Sequence, residues 1–296
     1  MPIDFDDNSV DVGGVDDRRG MGGAGGGLAI GGGAGVVGVI IYILYALLGV
    51  SGDPGAISQQ PNSGGQQGES SAELKARCNA EGALEKYTDC RLIKVYNIAD
   101  DAWAQEFKRR GLDYHAPKLA FFSQSAQTAC GNATSQVGPF YCPGDEEIYL
   151  DLDFLDQLQK QFGAEGEFAQ AYIVAHEFGH HLQTLLGTEA KVRAQMERDQ
   201  AHANQWSVKL ELQADCYAGV WSKLADQLPS KGIDLSSQNI AEAVNAAQAV
   251  GDDRIQQQSQ GRVDQESWTH GSAAQRKQWF LTGDQSGDLK ACNTFG

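Results

Sequence analysis

Apolar residues recur at steps of three and four between Glu167 and Leu186, where Phe168, Tyr172, Ala175, Phe178, Leu182 and Leu185 fall on one face before Gly187 ends the run. That spacing predicts a helix whose apolar stripe faces a core. A longer helical pattern runs from about Lys191 to Gln227, ended by Pro229, and a shorter one covers Ser237 to Val250. Upstream, Ala72 to Leu84 and Asp100 to Arg110 read as helices, the second with Trp103 and Phe107 at helical spacing. Lys118 to Ser123 is apolar and bounded by Pro117, so it reads as a strand; Glu147 to Leu152, EIYLDL, alternates apolar and polar positions as a half-buried strand does. Trp279 and Phe280 are expected to close the core near the carboxyl end. The expected fold is α+β and mainly helical, with a small antiparallel sheet ahead of the central helix.

One stretch is apolar without periodicity. No Lys, Arg, Asp or Glu occurs from Gly20 to Gly52, and the centre of that window, Leu28 to Leu48, reads LAIGGGAGVVGVIIYILYALL. In helical form it would extend about 31 Å, close to the ~30 Å hydrocarbon core of a bilayer. Its glycines are compatible with a membrane helix. The chain accordingly divides into a disordered Gly/Asp-rich cytoplasmic tail (1–27), a transmembrane helix (28–50), a Ser/Gly/Gln/Pro-rich flexible linker (51–70) and a globular domain (71–296). A cleaved signal peptide fits less well, because the preceding tail is long and acidic and no small-x-small site follows closely. Arg18 and Arg19 precede the segment and Lys75 is the first base after it, so the positive-inside rule puts the amino end in the cytoplasm and the domain outside, periplasmic or extracytoplasmic, on a single pass through the cytoplasmic membrane.

Charge narrows the partners. With 23 basic against 39 acidic residues and a net charge of −16, the chain repels phosphate backbones, and nucleic acid is not an expected partner. All six cysteines, at 78, 90, 130, 142, 216 and 292, follow the apolar segment, which suits an oxidising compartment. Six cysteines allow 15 pairings. Proximity favours Cys78 with Cys90 and Cys130 with Cys142, leaving Cys216 for Cys292, although spacing alone does not choose among the pairings.

The segment VAHEFGHHLQ carries the chemistry. His176 and His180 stand at i and i+4 on one helix face, so both imidazoles can reach one ion, for which zinc is the default. Glu177 is rotated about 100° from His176, off the ligand line but within reach of a water at the metal, where it would act as general base. A catalytic zinc needs a third protein ligand. The HExxHxxGxxH pattern is excluded, because Gln183 stands where its glycine would be and Leu186 where its third histidine would be. LELQADCYAGVW offers Glu211 instead, with Asp215 at i+4 on the same face to accept the outer N–H of a ligand histidine. Leu210, Leu212, Ala214, Tyr217 and Val220 indicate a largely buried helix, and carboxylates buried there need a metal or a charge partner.

HEFGHH followed by ELQADCYAGVW resembles the neutral zinc metallopeptidase family of bacterial membrane proteins. The resemblance extends to CGNATSQVGPFYCPGDEEIYLD (Cys130 to Asp151) and WTHGSAAQRKQWFLTG (Trp268 to Gly283), and covers nearly the whole chain after the linker as well as the tail and span. The E-x-x-A-D element is also similar to the third-ligand helix of the gluzincin peptidases related to the prenyl-protein endopeptidase group. The resemblance implies a zincin fold, one zinc ion and hydrolysis of peptide bonds in a peptide or protein substrate.

For the oxyanion of such a reaction, His270 in THGSAAQR is the first donor to consider, with Tyr217 and Arg276 behind it. His181 points about 100° from His180 and is expected beside the ligand set or at the surface, while His115 and His202 read as surface residues. Glu147 to Asp151 has the place of the edge strand along which an extended substrate could add. Two further classes remain: a catalytically silent zinc-binding envelope scaffold, and a metallohydrolase acting on cell-wall peptides. Glu177 speaks against the scaffold, which needs no acid beside the first histidine.

Overall fold

The computed structural model describes residues 3–20, 68–156, 166–228 and 232–296. The apolar stretch 28–50 and most of the 51–70 linker lie outside the described residues; among those described, no helix is long and apolar enough to cross a membrane. The fold is α+β and mainly helical.

In chain order the elements are β1 (Asp4–Phe5), β2 (Val15–Asp17), α1 (Ser71–Cys78), α2 (Ala83–Lys86), α3 (Thr88–Arg110), β3 (Lys118–Phe122), β4 (Ser125–Thr128), β5 (Gly131–Thr134), β6 (Phe140–Cys142) and β7 (Glu147–Asp151). They are followed by α4 (Glu167–Leu185), α5 (Thr188–Arg198), α6 (Ala203–Asp226), β8 (Ile233–Asp234), α7 (Ser237–Ala249), α8 (Asp252–Gln260) and α9 (Ala273–Ser286). The long pattern expected from Lys191 to Gln227 is two helices, broken where Asp199 leaves helical geometry (φ −128°, ψ 68°) and its carboxylate meets His202 Nδ1 at 2.9 Å.

The main sheet has the order β2-β3-β7-β6 and is mixed rather than antiparallel: β2–β3 and β3–β7 are parallel, β7–β6 antiparallel. Both faces are covered. Leu119, Phe121, Ile148 and Leu150 join the helical core, whereas Ala120, Phe122, Tyr149 and Phe140 pack with Ala126 and Ala133 of the β4–β5 hairpin. All five residues of β7 are therefore buried despite its alternating sequence, and the strand expected at the edge is central. The edge strand beside the central helix is β6, tied to it where Tyr141 Oη lies 3.1 Å from His181 Nδ1.

The second departure is larger. Residues 3–20, expected as a disordered tail, are part of the domain: β1 pairs β8, β2 pairs β3, and Ile3, Val10, Val12 and Val15 are buried in the core. Arg18 binds Glu147 at 2.8 Å, and Arg19 joins Asp17 and Asp89 at 2.6 and 2.8 Å with side chains almost fully buried. Asp89 also holds Arg77 at 2.7 Å. Ion pairs reaching across the chain thus hold a segment whose own composition is too polar to fold alone.

This network makes stability depend on pH with a defined sign. Burial pushes the Asp89 carboxyl up, but the hydrogen bonds and charges of Arg77 and Arg19 outweigh it and hold Asp89 below the usual carboxylate range, as Arg19 does Asp17. A carboxyl depressed on folding stabilises above its unfolded value near ~3.9, and that contribution is lost as pH falls through the lower folded value. Urea unfolding should therefore show stability falling below about pH 4, with Asp89→Asn flattening that slope and costing about 3 kcal/mol at pH 7. An unchanged slope in the variant would remove Asp89 from the acid transition.

Three disulfides, Cys78–Cys90, Cys130–Cys142 and Cys216–Cys292, account for all six cysteines. The first ties α1 to α3, the second ties the β4–β5 turn to β6, and the third ties α6 to the carboxyl-terminal turn.

Candidate metal centre

Helices α4 and α6 cross closely because of one glycine. A Cβ at Gly179 would stand 2.9 Å from Ala214 Cα and 2.9 Å from its carbonyl oxygen, nearer than a side chain tolerates. The same device recurs where α9 packs on α6: a methyl at Gly219 would overlap the Phe280 carbonyl oxygen, and one at Gly283 that of Cys216. With α4 and α6 in backbone contact, Glu211 arrives opposite the two histidines.

His176, His180 and Glu211 offer ligand atoms that all lie within 4.8 Å of one another. Glu211 Oε2 is 3.2 Å from His176 Nε2, and Oε1 is 3.5 Å from His180 Nε2. Tetrahedral ligands at about 2.0–2.1 Å from zinc stand about 3.3 Å apart, close to the two histidine–glutamate separations seen here, so the donor set suits the ion. In the metal-free chain burial pushes His176 down, but the hydrogen bonds of Asp215 and Glu211 outweigh it and hold the imidazole well above its ordinary value. Burial raises Glu211, and the charges of His180, His270 and His176 more than reverse this.

Each imidazole is fixed from behind. His176 Nδ1 donates to Asp215 Oδ1 at 2.9 Å, and His180 Nδ1 donates to Gln183 Oε1 at 2.9 Å. The Gln183 amide in turn donates to the Leu210 carbonyl at 2.7 Å and to Gln213 Oε1 at 3.2 Å, which orients it from α6. These bonds turn both Nε2 atoms toward Glu211.

Asp215 is completely buried and takes two further donors: Arg276 binds it through Nε at 2.8 Å and Nη2 at 2.9 Å, and Tyr172 Oη donates to Oδ1. Arg276, considered above as an oxyanion donor, is thereby committed to Asp215. Tyr217, the other fallback, is in the core with its ring edge against Trp103. Glu177 is buried next to the ligands, and burial raises its carboxyl above the ordinary range.

His270 is buried in the loop ahead of α9. Its Nδ1 lies 2.9 Å from Thr269 Oγ1 and 3.3 Å from Asp252 Oδ1, and Asp252 Oδ2 accepts the backbone N–H groups of Thr269, His270 and Gly271 at 2.9, 2.7 and 2.9 Å. Burial lowers the His270 imidazole, but the charges of Glu211 and Asp252 outweigh it and raise it. His181 is fully buried, bonding Tyr141 and the His115 carbonyl, and is neither at the surface nor in the ligand set. His115 and His202 are exposed, paired with Glu146 and Asp199.

Asp252 is not foreshadowed by the sequence, Tyr172 reads there only as part of the apolar stripe of α4, and Gln183 shows no sign there of orienting a histidine. Its place at i+3 from His180 on the same face is the feature that could have suggested the role. Asp252 had no such feature, because its partners lie eighteen residues away across a loop.

An HExxH helix is met by a glutamate from the next long helix, with a buried Asp–Arg pair behind the first histidine, an arrangement of three groups that could hold a metal ion. The chain belongs to the family described as "Putative neutral zinc metallopeptidase", whose model matches residues 6–295. It is 44% identical over 291 residues to the uncharacterized protein YpfJ of Escherichia coli (strain K12), covering 95% of each chain. It is also 44% identical over 257 residues to the uncharacterized protein Rv2575 of Mycobacterium tuberculosis (strain ATCC 25618 / H37Rv), covering 84% of each. No solved structure matches the chain.

Proposed function

We propose that this chain is a zinc-dependent endopeptidase of zincin type that works in an oxidising, extracytoplasmic compartment and is held at a membrane by its 28–48 segment. The observation that carries the reading is Glu177, a buried carboxyl raised by burial and set beside three groups that together fit zinc. Family membership supports zinc and hydrolysis; three disulfides support the compartment; and a net charge of −16 speaks against nucleic acid.

Zinc, held by His176, His180 and Glu211, would supply Lewis-acid polarisation of a peptide carbonyl and a more acidic water. Glu177 takes the proton of the attacking water and delivers it to the leaving amine; its raised carboxyl suits both halves of that transfer. Asp215 keeps His176 in the tautomer that presents Nε2, and Gln183 does the same for His180. Asp252 engages Nδ1 of His270, leaving Nε2 as the donor toward the developing oxyanion. An extended substrate adds along β6, the edge strand that borders α4.

The test is digestion of a mixed peptide library by the purified chain, with zinc present, after removal by a chelator, and after zinc is restored. Cleavage that follows the metal supports the reading; no cleavage by zinc-loaded protein overturns it. His270→Ala should retain zinc and lower kcat about 10²- to 10³-fold with little change in KM, as removal of an oxyanion donor does. Unchanged turnover would take His270 out of the mechanism.

A further inference from the structure

The three disulfides differ in what solvent can reach. Cys78, Cys90, Cys142, Cys216 and Cys292 are buried at 1% exposure or less, whereas Cys130 is exposed at the turn of the β4–β5 hairpin. Thiol–disulfide exchange begins when a thiolate attacks a sulfur it can reach. Cys78–Cys90 and Cys216–Cys292 present no exposed cysteine, and Cys130–Cys142 presents one.

The exposed bridge also spans a weak joint. β4 and β5 pair only with each other, and an isolated two-stranded hairpin is marginal in water. Ser125, Gln127, Asn132 and Thr134 are exposed, and the hairpin meets the outer face of the sheet through Ala126 and Ala133, which bury little area against Phe122, Phe140 and Tyr149. Among the described hydrogen bonds, the other tie from its turn to the sheet is the Ala129 amide, which donates to Asp145 Oδ2 at 2.9 Å. The bridge therefore holds that turn against Cys142, the last residue of β6. β6 is short, pairs only with β7, and lies beside the metal-binding helix through Tyr141 and His181.

We propose that Cys130–Cys142 is a redox clasp: a dithiol opens it while the other two bridges persist, and its opening frees the β4–β5 hairpin and the β6 edge beside the metal-binding helix. One thiolate of the dithiol attacks Cys130 Sγ, the bond to Cys142 breaks, and Cys142 leaves as a thiolate that takes up a proton. The second thiol of the dithiol, once deprotonated, attacks the dithiol's own sulfur in the mixed disulfide and releases Cys130, which is protonated in turn. Two electrons and two protons pass to the protein, and the dithiol becomes a disulfide. Burial makes Cys142 a poor leaving group and keeps it next to any mixed disulfide at Cys130, so a single thiol is displaced again and a dithiol is required. That the freed strand binds peptides less well rests on the reading of β6 as the substrate edge; the clasp itself does not.

The test treats the full chain with graded dithiothreitol in the absence of denaturant, alkylates the freed thiols and locates them by mass spectrometry. Cys130 and Cys142 should be labelled about tenfold faster than the other four cysteines; equal rates, or earlier opening of either buried bridge, overturn the proposal. Amide exchange is then followed in Cys130→Ser/Cys142→Ser, in which no added thiol competes for zinc. Exchange over residues 125–142 should rise about tenfold while zinc content and exchange in α4 and α6 stay as in the parent. Parental exchange at 140–142 overturns the proposal. Should the variant not retain zinc, the same exchange is read on parent chain reduced and alkylated at this bridge alone. Peptide cleavage by the zinc-loaded variant should show KM raised about fivefold at unchanged kcat, and a parental KM would overturn control of binding by the clasp. If the zinc-loaded parent cleaves nothing, the peptidase reading falls, and labelling and exchange decide the clasp alone.

Discussion

Replacing Glu177 by glutamine is expected to lower peptide cleavage by at least 10³-fold while zinc content, measured on the same preparation, stays at one ion per chain. Glutamine keeps the shape and the burial but cannot accept a proton. The carboxyl stands apart from the three ligand atoms, one residue along α4 from His176, so the substitution leaves the ligand set whole. Without it, the proton of the attacking water must leave to solvent, and Glu177 is buried enough that solvent is a poor substitute. General-base removal alone is worth 10²–10⁴ in other enzymes, and the same group here also returns the proton to the amine, so the loss should sit in kcat. A variant that binds zinc and cleaves at the parental rate would mean that another group is the base. Zinc in both proteins and cleavage by neither would favour the scaffold, in which Glu177 has no task.

The centre was legible because its ligands are local in sequence. His176 and His180 lie one turn apart on a helix whose apolar stripe is regular, and Glu211 with Asp215 repeats that spacing on the next long helix. What the sequence hid depends on distant partners. Residues 3–20 carry few apolar positions at no regular period, and buried Arg19 is met by Asp89 from seventy residues on as well as by neighbouring Asp17. β7 looked half-exposed because Glu147 and Asp151 are polar; the first is buried against Arg18, from far along the chain, and against Tyr149, two residues on along the same strand. The polar β4–β5 hairpin covers the outer face of the sheet through Ala126 and Ala133, residues too small to register as a strand pattern, and the Cys130–Cys142 bridge ties its turn to β6.

Asp215 is the residue whose loss should disturb most at once, and its two effects can be separated. It is the only carboxylate that the structure places against Arg276 among the described hydrogen bonds, and that guanidinium is itself buried. Asp215→Ala leaves a buried cation unpaired and should cost about 3–5 kcal/mol in urea unfolding. It also strips His176 Nδ1 of its acceptor, so zinc affinity measured by chelator competition should fall about 10- to 100-fold. The double variant Asp215→Leu/Arg276→Met removes the stranded charge with the pair, and apolar replacement of a buried ion pair is often neutral or better, so stability should return close to the parent. Affinity should not return, because His176 still lacks the group that fixes its tautomer. If the double variant recovered both, Asp215 would be a counter-ion for Arg276 and nothing more; recovery of stability alone would separate the ion pair that holds α6 to α9 from the hydrogen bond that aims the histidine.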